Sequence, residues 1–137
     1  FHHHCGMVGL RRLYPALDKC DLSEYGLKIL LADGYPSYTD WLERGATTLC
    51  ETWQTGNSQN HQMYSSFMAW LISSVAGITP AAPGFSKVRI KPLALGNLDH
   101  CDCELDTIKG KISVHWKRKG EELSFNYTVP NGVEVIE

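Results

Sequence analysis

The chain has 137 residues, with 13 Lys plus Arg against 15 Asp plus Glu and a formal net charge of −2. A hydrophobic share of 43% supports a buried core and excludes the low-hydrophobicity, high-charge composition of disordered segments. The near-neutral charge excludes a strong positive field of the kind that attracts nucleic acids and anionic membranes, so neither partner is expected. No apolar run approaches the ~20 residues that cross a bilayer, and we expect a soluble chain.

The cysteines indicate a reducing compartment and no metal site. Five cysteines cannot all pair within one chain, and none has the C-x-x-C spacing of a structural zinc site. We therefore expect a cytoplasmic location rather than a secreted or periplasmic one. The run from His2 to Cys5, and Cys101 with Cys103 beside His100, lack the turn-forming spacing of metal ligands, so neither a metal nor a cofactor is expected.

Helical periodicity dominates the first part of the chain. Two helices broken around residues 18–21 are predicted, the second capped by Asp21, from apolar residues three to four apart: Val8, Leu13, Leu17, Leu22, Tyr25, Ile29, Leu30 and Ala32. A short third helix begins at Tyr35-Pro36-Ser37 and runs through Arg44, with Gly45 at its C-terminal cap.

The longest helix is predicted to follow a Gly-, Thr- and Asn-rich loop, with Ser58 as its cap and Gly77 at its end. Its stripe is wide enough for a buried face and consists of Tyr64, Phe67, Met68, Leu71, Ile72 and Val75. Acidic residues beside the helices are expected to form solvated faces: Asp18, Asp21, Glu24, Asp33, Asp40 and Glu43.

Beyond the Pro- and Gly-rich segment 79–85, which predicts an extended connector, the apolar period changes to two. Strands are predicted around residues 88–90, 112–116 and 123–129, with a further strand in 98–106 and glycine turns between neighbours. Phe125 and Tyr127 share the alternation of Leu123 and Val129, which predicts that they lie in the core. The predicted class is α+β in sequence order, with helices in residues 1–78, a linker in 79–85 and a small antiparallel β-sandwich or sheet in 86–137.

The most informative stretch is Gly45-Ala46-Thr47-Thr48-Leu49-Cys50-Glu51-Thr52-Trp53, followed by Ser58-Gln59-Asn60-His61. It resembles the C-terminal part of the catalytic domain of bacterial α-L-rhamnosidases, the family-78 glycoside hydrolases, which carry GATT-x-W-E-x-W and then an Asn-His pair. Cys50 stands where the family usually has Trp. The resemblance also includes Gly6 with Gly9, Tyr35-Pro36-Ser37-Tyr38, Ala76-Gly77-Ile78, Pro83-Gly84-Phe85, Ile90-Lys91-Pro92, Gly110 to Trp116 and Val129-Pro130-Asn131.

The resemblance implies a C-terminal fragment of such an enzyme, made of the last helices of an (α/α)6 toroid and the closing β-sandwich. It implies that Glu51 is the catalytic base of an inverting hydrolysis, whereas the matching general acid lies in an upstream segment that this chain does not contain. His61 would be the second catalytic residue, lining the sugar site and bonding a sugar hydroxyl or the attacking water. Asn60 would bind the substrate, and Trp53 would stack on the deoxysugar. The histidine run at residues 2–4 would be buried packing or a wall.

Structural alternatives remain open for three of these residues. Glu51 is either the base or a solvated loop glutamate without a catalytic role. His61 is expected on the inward face of the first helical turn, where the helix dipole favours the neutral imidazole, but a core histidine fits the pattern equally well. Trp53 is either a sugar platform or an ordinary core tryptophan.

Two further functions compete with the glycosidase hypothesis, under which the substrate is a rhamnose-containing glycoside or polysaccharide. One is a non-catalytic carbohydrate-binding or structural module, and the other is a redox or metal module that rests on the cysteines. Because toroid helices bury their faces against neighbours, we expect the rest of the catalytic domain, or a second copy, to cover the helices at 7–33 and 59–76.

Overall fold

The computed structural model describes residues 1–136 and contains two compact units, Phe1–Trp70 and a second that begins at Leu71. Helices fill the first unit: α1 spans Met7–Lys19, α2 Ser23–Leu30, α3 Tyr38–Glu43 and α4 Ser66–Trp70. Strands dominate the second unit. The predicted α+β class in sequence order is confirmed, while the division into residues 1–78, 79–85 and 86–137 stays a prediction.

The buried face of α1 is formed by Leu10 and Tyr14, both with no exposed surface. Val8, one of the apolar residues whose spacing predicted this helix, is 78% exposed and does not belong to the buried face. Successive helical residues are rotated by about 100°, so a residue two positions before Leu10 lies on the opposite side of the helix.

The turn between α1 and α2 is organised by Asp18 rather than by the predicted cap Asp21. Asp21 has a φ of 57°, and Leu22, the residue before α2, makes no side-chain capping bond. The Asp18 carboxylate accepts hydrogen bonds from Ser23 Oγ at 2.6 Å and from Trp70 Nε1 at 2.8 Å. The expectation that Asp18 lies on a solvated face is therefore wrong.

The third helix begins and ends as predicted. Ser37 Oγ accepts the backbone N–H of Asp40 at 3.0 Å, and Gly45 follows the helix with a left-handed φ of 81°. Asp40, however, is buried and accepts from Arg44 Nε at 3.0 Å. It does not belong to a solvated face as predicted, because an ion pair on its own helix neutralises it.

The predicted long helix is replaced by three short helical segments. A 3-10 turn at Gln62–Ser65 leads into α4, and a π-helical turn at Leu71–Val75 follows in the second unit. Ser58 does not cap this run, because its backbone is hydrogen-bonded to Glu51 instead. The changes in residues per turn also alter the buried face. Met68, predicted to be buried, is 48% exposed.

Two three-stranded sheets form the second unit. One has the order β1-β2-β6, from Ile78–Pro80, Lys87–Ile90 and Glu134–Ile136, and the other is an antiparallel meander β3-β4-β5, from His100–Thr107, Gly110–Lys119 and Glu122–Thr128. Strand β1 pairs antiparallel with β2, and β6 pairs parallel with it. The first two residues of the predicted connector 79–85 are therefore strand, because Thr79 pairs with Arg89 and Pro80 with Val88.

The core of this unit is centred on Trp116, whose indole N–H donates to the Val75 carbonyl at 2.8 Å. Its neighbours in the core include Val88, Ile112 and Val114, all without exposed surface. Phe125 and Tyr127 are 46% and 43% exposed, so their predicted place in the core is wrong. They lie on β5, the edge strand of the meander, where the inward-facing side is left uncovered.

None of the helices among residues 1–136 has the length and apolarity to span a membrane.

Candidate active site

A closed loop between α3 and the 3-10 turn carries Glu51. The Glu51 N–H donates to the Ser58 carbonyl at 2.8 Å, and the His61 N–H donates to the Leu49 carbonyl at 2.8 Å. The Thr48 hydroxyl donates to the carbonyl of Gln59. These bonds hold two limbs, residues 48–51 and 58–61, side by side. We call residues 48–61 the Glu51 loop.

Glu51 is a half-buried residue at the neck of this loop. Its Oε2 accepts the backbone N–H of Ser58 at 3.3 Å. None of the ion pairs formed within residues 1–136 involves Glu51. A carboxylate that is fixed by a backbone donor and not neutralised by a cation keeps its capacity to accept a proton.

Trp53 faces a cluster of aromatic rings rather than solvent, and 9% of it is exposed. Its indole N–H donates to the Cys5 carbonyl at 3.3 Å, and its carbonyl accepts the Trp41 indole N–H at 3.1 Å. Its ring lies 4.8 Å from His3 in a stacked arrangement and 4.6 Å from Trp41. The aromatic cluster comprises His3, Tyr38, Trp41, Trp53 and Tyr64. Of the two readings left open for Trp53, the packing matches the core tryptophan.

His61 precedes the 3-10 turn, with a φ of −120° and a ψ of 89°. It is not in the first turn of a long helix as predicted, so the dipole argument for its neutral form does not apply to a turn of four residues. Its Nδ1 is buried and has no hydrogen-bond partner among residues 1–136. Asn60 is exposed, and its N–H donates to Ser58 Oγ at 3.4 Å. Both residues thus lie on the limb that faces Glu51.

His3 is a site residue that sequence reasoning did not single out from its histidine run. It is 1% exposed, whereas His2 and His4 are exposed, so the expected buried packing holds for the middle histidine. Burial, and secondarily the charge of His2, lowers the pKa of His3 to about 4. The neighbouring Tyr38 keeps its proton, since burial raises its pKa, and its hydroxyl donates to the Tyr64 carbonyl at 2.6 Å.

A shallow cavity of about 350 Å³ lies beside the Glu51 loop. Thr47, Thr48 and Leu49 form one side of it, and Trp41 and Phe67 contribute aromatic surface. No local sequence pattern predicts this cavity, because its walls come from α3, the loop and α4 together.

Within the part of the chain that the structure describes, no group of three or more His, Cys, Asp or Glu side chains is arranged to hold a metal ion. Cys101 and Cys103 lie half-buried on one face of β3, and burial raises the pKa of both thiols.

Two family models together account for nearly the whole sequence. The model described as the bacterial alpha-L-rhamnosidase 6 hairpin glycosidase domain matches residues 1–75. The model described as the bacterial alpha-L-rhamnosidase C-terminal domain matches residues 77–136. The chain therefore belongs to the bacterial α-L-rhamnosidase family, as the motifs around Glu51 predicted.

Individual relatives agree with this assignment. An α-L-rhamnosidase of Alteromonas sp. is 28% identical over 140 residues, which is 94% of this chain and 15% of that protein. The structure of an α-L-rhamnosidase from Dictyoglumus thermophilum matches with a TM-score of 0.89 and 32% identity, over 98% of this chain and 16% of that one. A Streptomyces avermitilis α-L-rhamnosidase complexed with L-rhamnose shares the fold, with a TM-score of 0.90 and 24% identity over 98% of this chain and 14% of that one. The chain spans about 15% of the length of the curated relatives it matches.

Proposed function

We propose that this chain supplies the catalytic base, Glu51, to an inverting α-L-rhamnosidase that releases terminal α-L-rhamnose from glycosides or polysaccharides. The observation that carries the proposal is the state of that carboxylate. The residue is half-buried, and its carboxylate is tied to the Ser58 N–H and unpaired with any cation in residues 1–136. The loop that holds it lies within the segment that the six-hairpin glycosidase model matches.

In the proposed reaction, one oxygen of Glu51 is held and the other takes the proton. Oε2 accepts the Ser58 N–H, which leaves Oε1 to accept a proton from water. The water oxygen bonds to the anomeric carbon as the bond to the leaving group breaks, and a general acid protonates the departing oxygen. Inversion needs the two carboxyl groups roughly 6.5–9.5 Å apart, so that a water molecule fits beside the sugar. The proposal assigns the acid to a part of the enzyme outside these 137 residues.

The residues opposite Glu51 are proposed to hold the sugar. Asn60 offers a solvent-exposed amide, and His61 an imidazole on the same limb, both suited to bonding sugar hydroxyls. Trp53 bounds the site with its small exposed edge, because most of its ring lies within the aromatic cluster.

The remainder of the six-hairpin domain is the proposed partner of the helical unit, with a second copy of the chain as the alternative. Exposed apolar side chains on or beside the helices favour such a partner: Val8, Leu31, Leu42, Met63 and Met68. The five cysteines are all unpaired, which supports the proposed cytoplasmic location.

A carbohydrate-binding module is the second candidate function. The exposed rings of Phe125 and Tyr127 favour it, since their centroids are 6.5 Å apart and the planes differ by 27°. Side-by-side aromatic faces of this kind suit stacking on the apolar side of a sugar.

Hydrolysis of p-nitrophenyl α-L-rhamnoside separates the two candidates. An enzyme that joins this chain to the rest of a six-hairpin domain is expected to release nitrophenol, with p-nitrophenyl β-D-glucoside as the control. The 137-residue chain alone should show no turnover, because acid–base assistance contributes about 10²–10⁴-fold and one partner is absent. If the longer enzyme is inactive while the chain binds L-rhamnose, and this binding is lost on Tyr127→Ala, the module is the better account.

A further inference from the structure

We propose that His3 is a positioning residue for the Glu51 loop: its imidazole stacks on Trp53 and through it fixes Glu51, two residues earlier in the chain. The inference rests on the proposed role of Glu51 as the base. His3 itself touches neither substrate nor Glu51 in this account.

The N-terminal segment holds Trp53 at two points. The His3 ring lies 4.8 Å from the Trp53 ring with an interplanar angle of 24°, and the Cys5 carbonyl accepts the Trp53 indole N–H at 3.3 Å. From the other side, Trp41 donates its indole N–H to the Trp53 carbonyl at 3.1 Å. Ring, indole N–H and backbone of Trp53 are thus all fixed, and Thr52 alone separates Trp53 from Glu51.

The surroundings of His3 accept a neutral ring and oppose a charged one. Tyr14 from α1 places its hydroxyl 3.5 Å from Nε2, and Tyr38 from α3 presents its ring at 5.2 Å. The titratable neighbours on its own segment are His2 and Cys5, and none of these four groups is a carboxylate. Nδ1 is buried without a hydrogen-bond partner among residues 1–136. An imidazolium here would be a buried charge without a counter-ion.

The sign of the pH effect follows from the folded and unfolded states. Burial lowers the pKa of His3 from 6.5 to about 4 in the folded chain. Between these values the unfolded state binds a proton and the folded state does not, so the stabilisation declines as the pH falls from 6.5 towards 4. Below about pH 4 the ring is charged, and we expect it to leave the cluster and release the loop.

The test compares His3→Phe, which keeps an aromatic ring that does not titrate, with His3→Ala, which removes the ring. In the longer enzyme, we expect His3→Ala to lower kcat for p-nitrophenyl α-L-rhamnoside by about 10–100-fold with KM within about two-fold, the size of effect that a small misplacement of a catalytic group produces. His3→Phe should restore kcat to within about three-fold of wild type. His4→Ala, at an exposed neighbour, should leave kcat unchanged.

The pH profile distinguishes positioning from packing. Below about pH 4, log kcat of the wild type should fall with a slope steeper by about one than that of His3→Phe, because the variant has no ring at this position that takes up a proton. On the 137-residue chain, near-ultraviolet circular dichroism of the aromatic cluster should show a transition near pH 4 that His3→Phe lacks.

Coinciding acid profiles for wild type and His3→Phe, or a fully active His3→Ala, would overturn the role of His3 while leaving Glu51 untouched. A wild-type rate in Glu51→Gln would instead overturn the proposed function itself. If His3→Ala fails to fold, the comparison of wild type with His3→Phe still decides the matter.

Discussion

Replacing Glu51 with Gln is expected to lower kcat for an aryl α-L-rhamnoside by about 10³-fold in the longer enzyme, with a modest change in KM. Glutamine keeps the shape of the side chain and an oxygen that accepts the Ser58 N–H, so the loop stays closed. It cannot take a proton from water, and the loss therefore falls on the transition state. Steady-state kinetics of purified wild type and variant measure both constants.

Glu43→Gln is the matched control for this substitution, because Glu43 is an exposed carboxylate at the end of α3. Its kcat should stay within about two-fold of wild type, as expected for a surface change. Comparable losses in the two variants, or a near-normal rate in Glu51→Gln, would remove Glu51 from the role of base.

Gly77→Ala is expected to have the largest effect on stability. Gly77 has a φ of 78°, and an added Cβ would lie 2.2 Å from the backbone carbon of Lys91 and 2.3 Å from the nitrogen of Pro92. The same two backbones are joined by the Lys91 N–H, which donates to the Gly77 carbonyl at 2.9 Å. Neither backbone can move away without breaking this hydrogen bond, so we expect the free energy of unfolding to fall by about 3 kcal/mol or more.

Urea denaturation of the chain, followed by circular dichroism, measures this loss. Gly34→Ala is the matched control, because Gly34 has a φ of 73° but no atom within 4 Å of an added Cβ. It should cost about 1 kcal/mol from backbone strain alone. Equal losses at the two positions would mean that the close approach to Lys91 is not a constraint.

The parts of the fold that the sequence predicted are those set by local pattern. Helices α1 to α3, strands β2 to β5 and the left-handed Gly45 after α3 all depend on residues within a few positions of one another. The prediction of one long helix was wrong because Ser58 has the local sequence of a helix cap, whereas its backbone is hydrogen-bonded to Glu51, seven residues away. Such a non-local bond leaves no mark on the local apolar period.

The alternation of apolar residues predicts which face of a strand a side chain lies on, but not whether that face is buried, and a charged side chain is likewise not always exposed. The period of two placed Phe125 and Tyr127 on the inward face of β5. It does not show that no other element packs on that face at the edge of the sheet, where both side chains remain exposed. Acidic residues were expected in solvent, yet Asp18 accepts a hydrogen bond from Trp70, which is remote in the sequence, and Asp40 accepts one from Arg44, one helical turn further along the chain.

The candidate site was predicted from a motif within one short stretch of the sequence. The prediction was incomplete because residues outside that stretch also contact the loop. Glu51, Asn60 and His61 lie in that motif and on facing limbs of one loop. The contact between His3 and Trp53 joins residues 50 positions apart, and the packing around Trp53 is known only from the fold. The contacts that support the loop are therefore visible only in the structure.

The anomeric configuration of the first product tests the central claim most directly. Proton NMR of the longer enzyme acting on p-nitrophenyl α-L-rhamnoside, recorded before the released sugar mutarotates, identifies the configuration. If Glu51 activates water for a single displacement, β-L-rhamnose should appear first. If α-L-rhamnose appears first, the reaction passes through a covalent intermediate, and Glu51 is not the base of an inverting site.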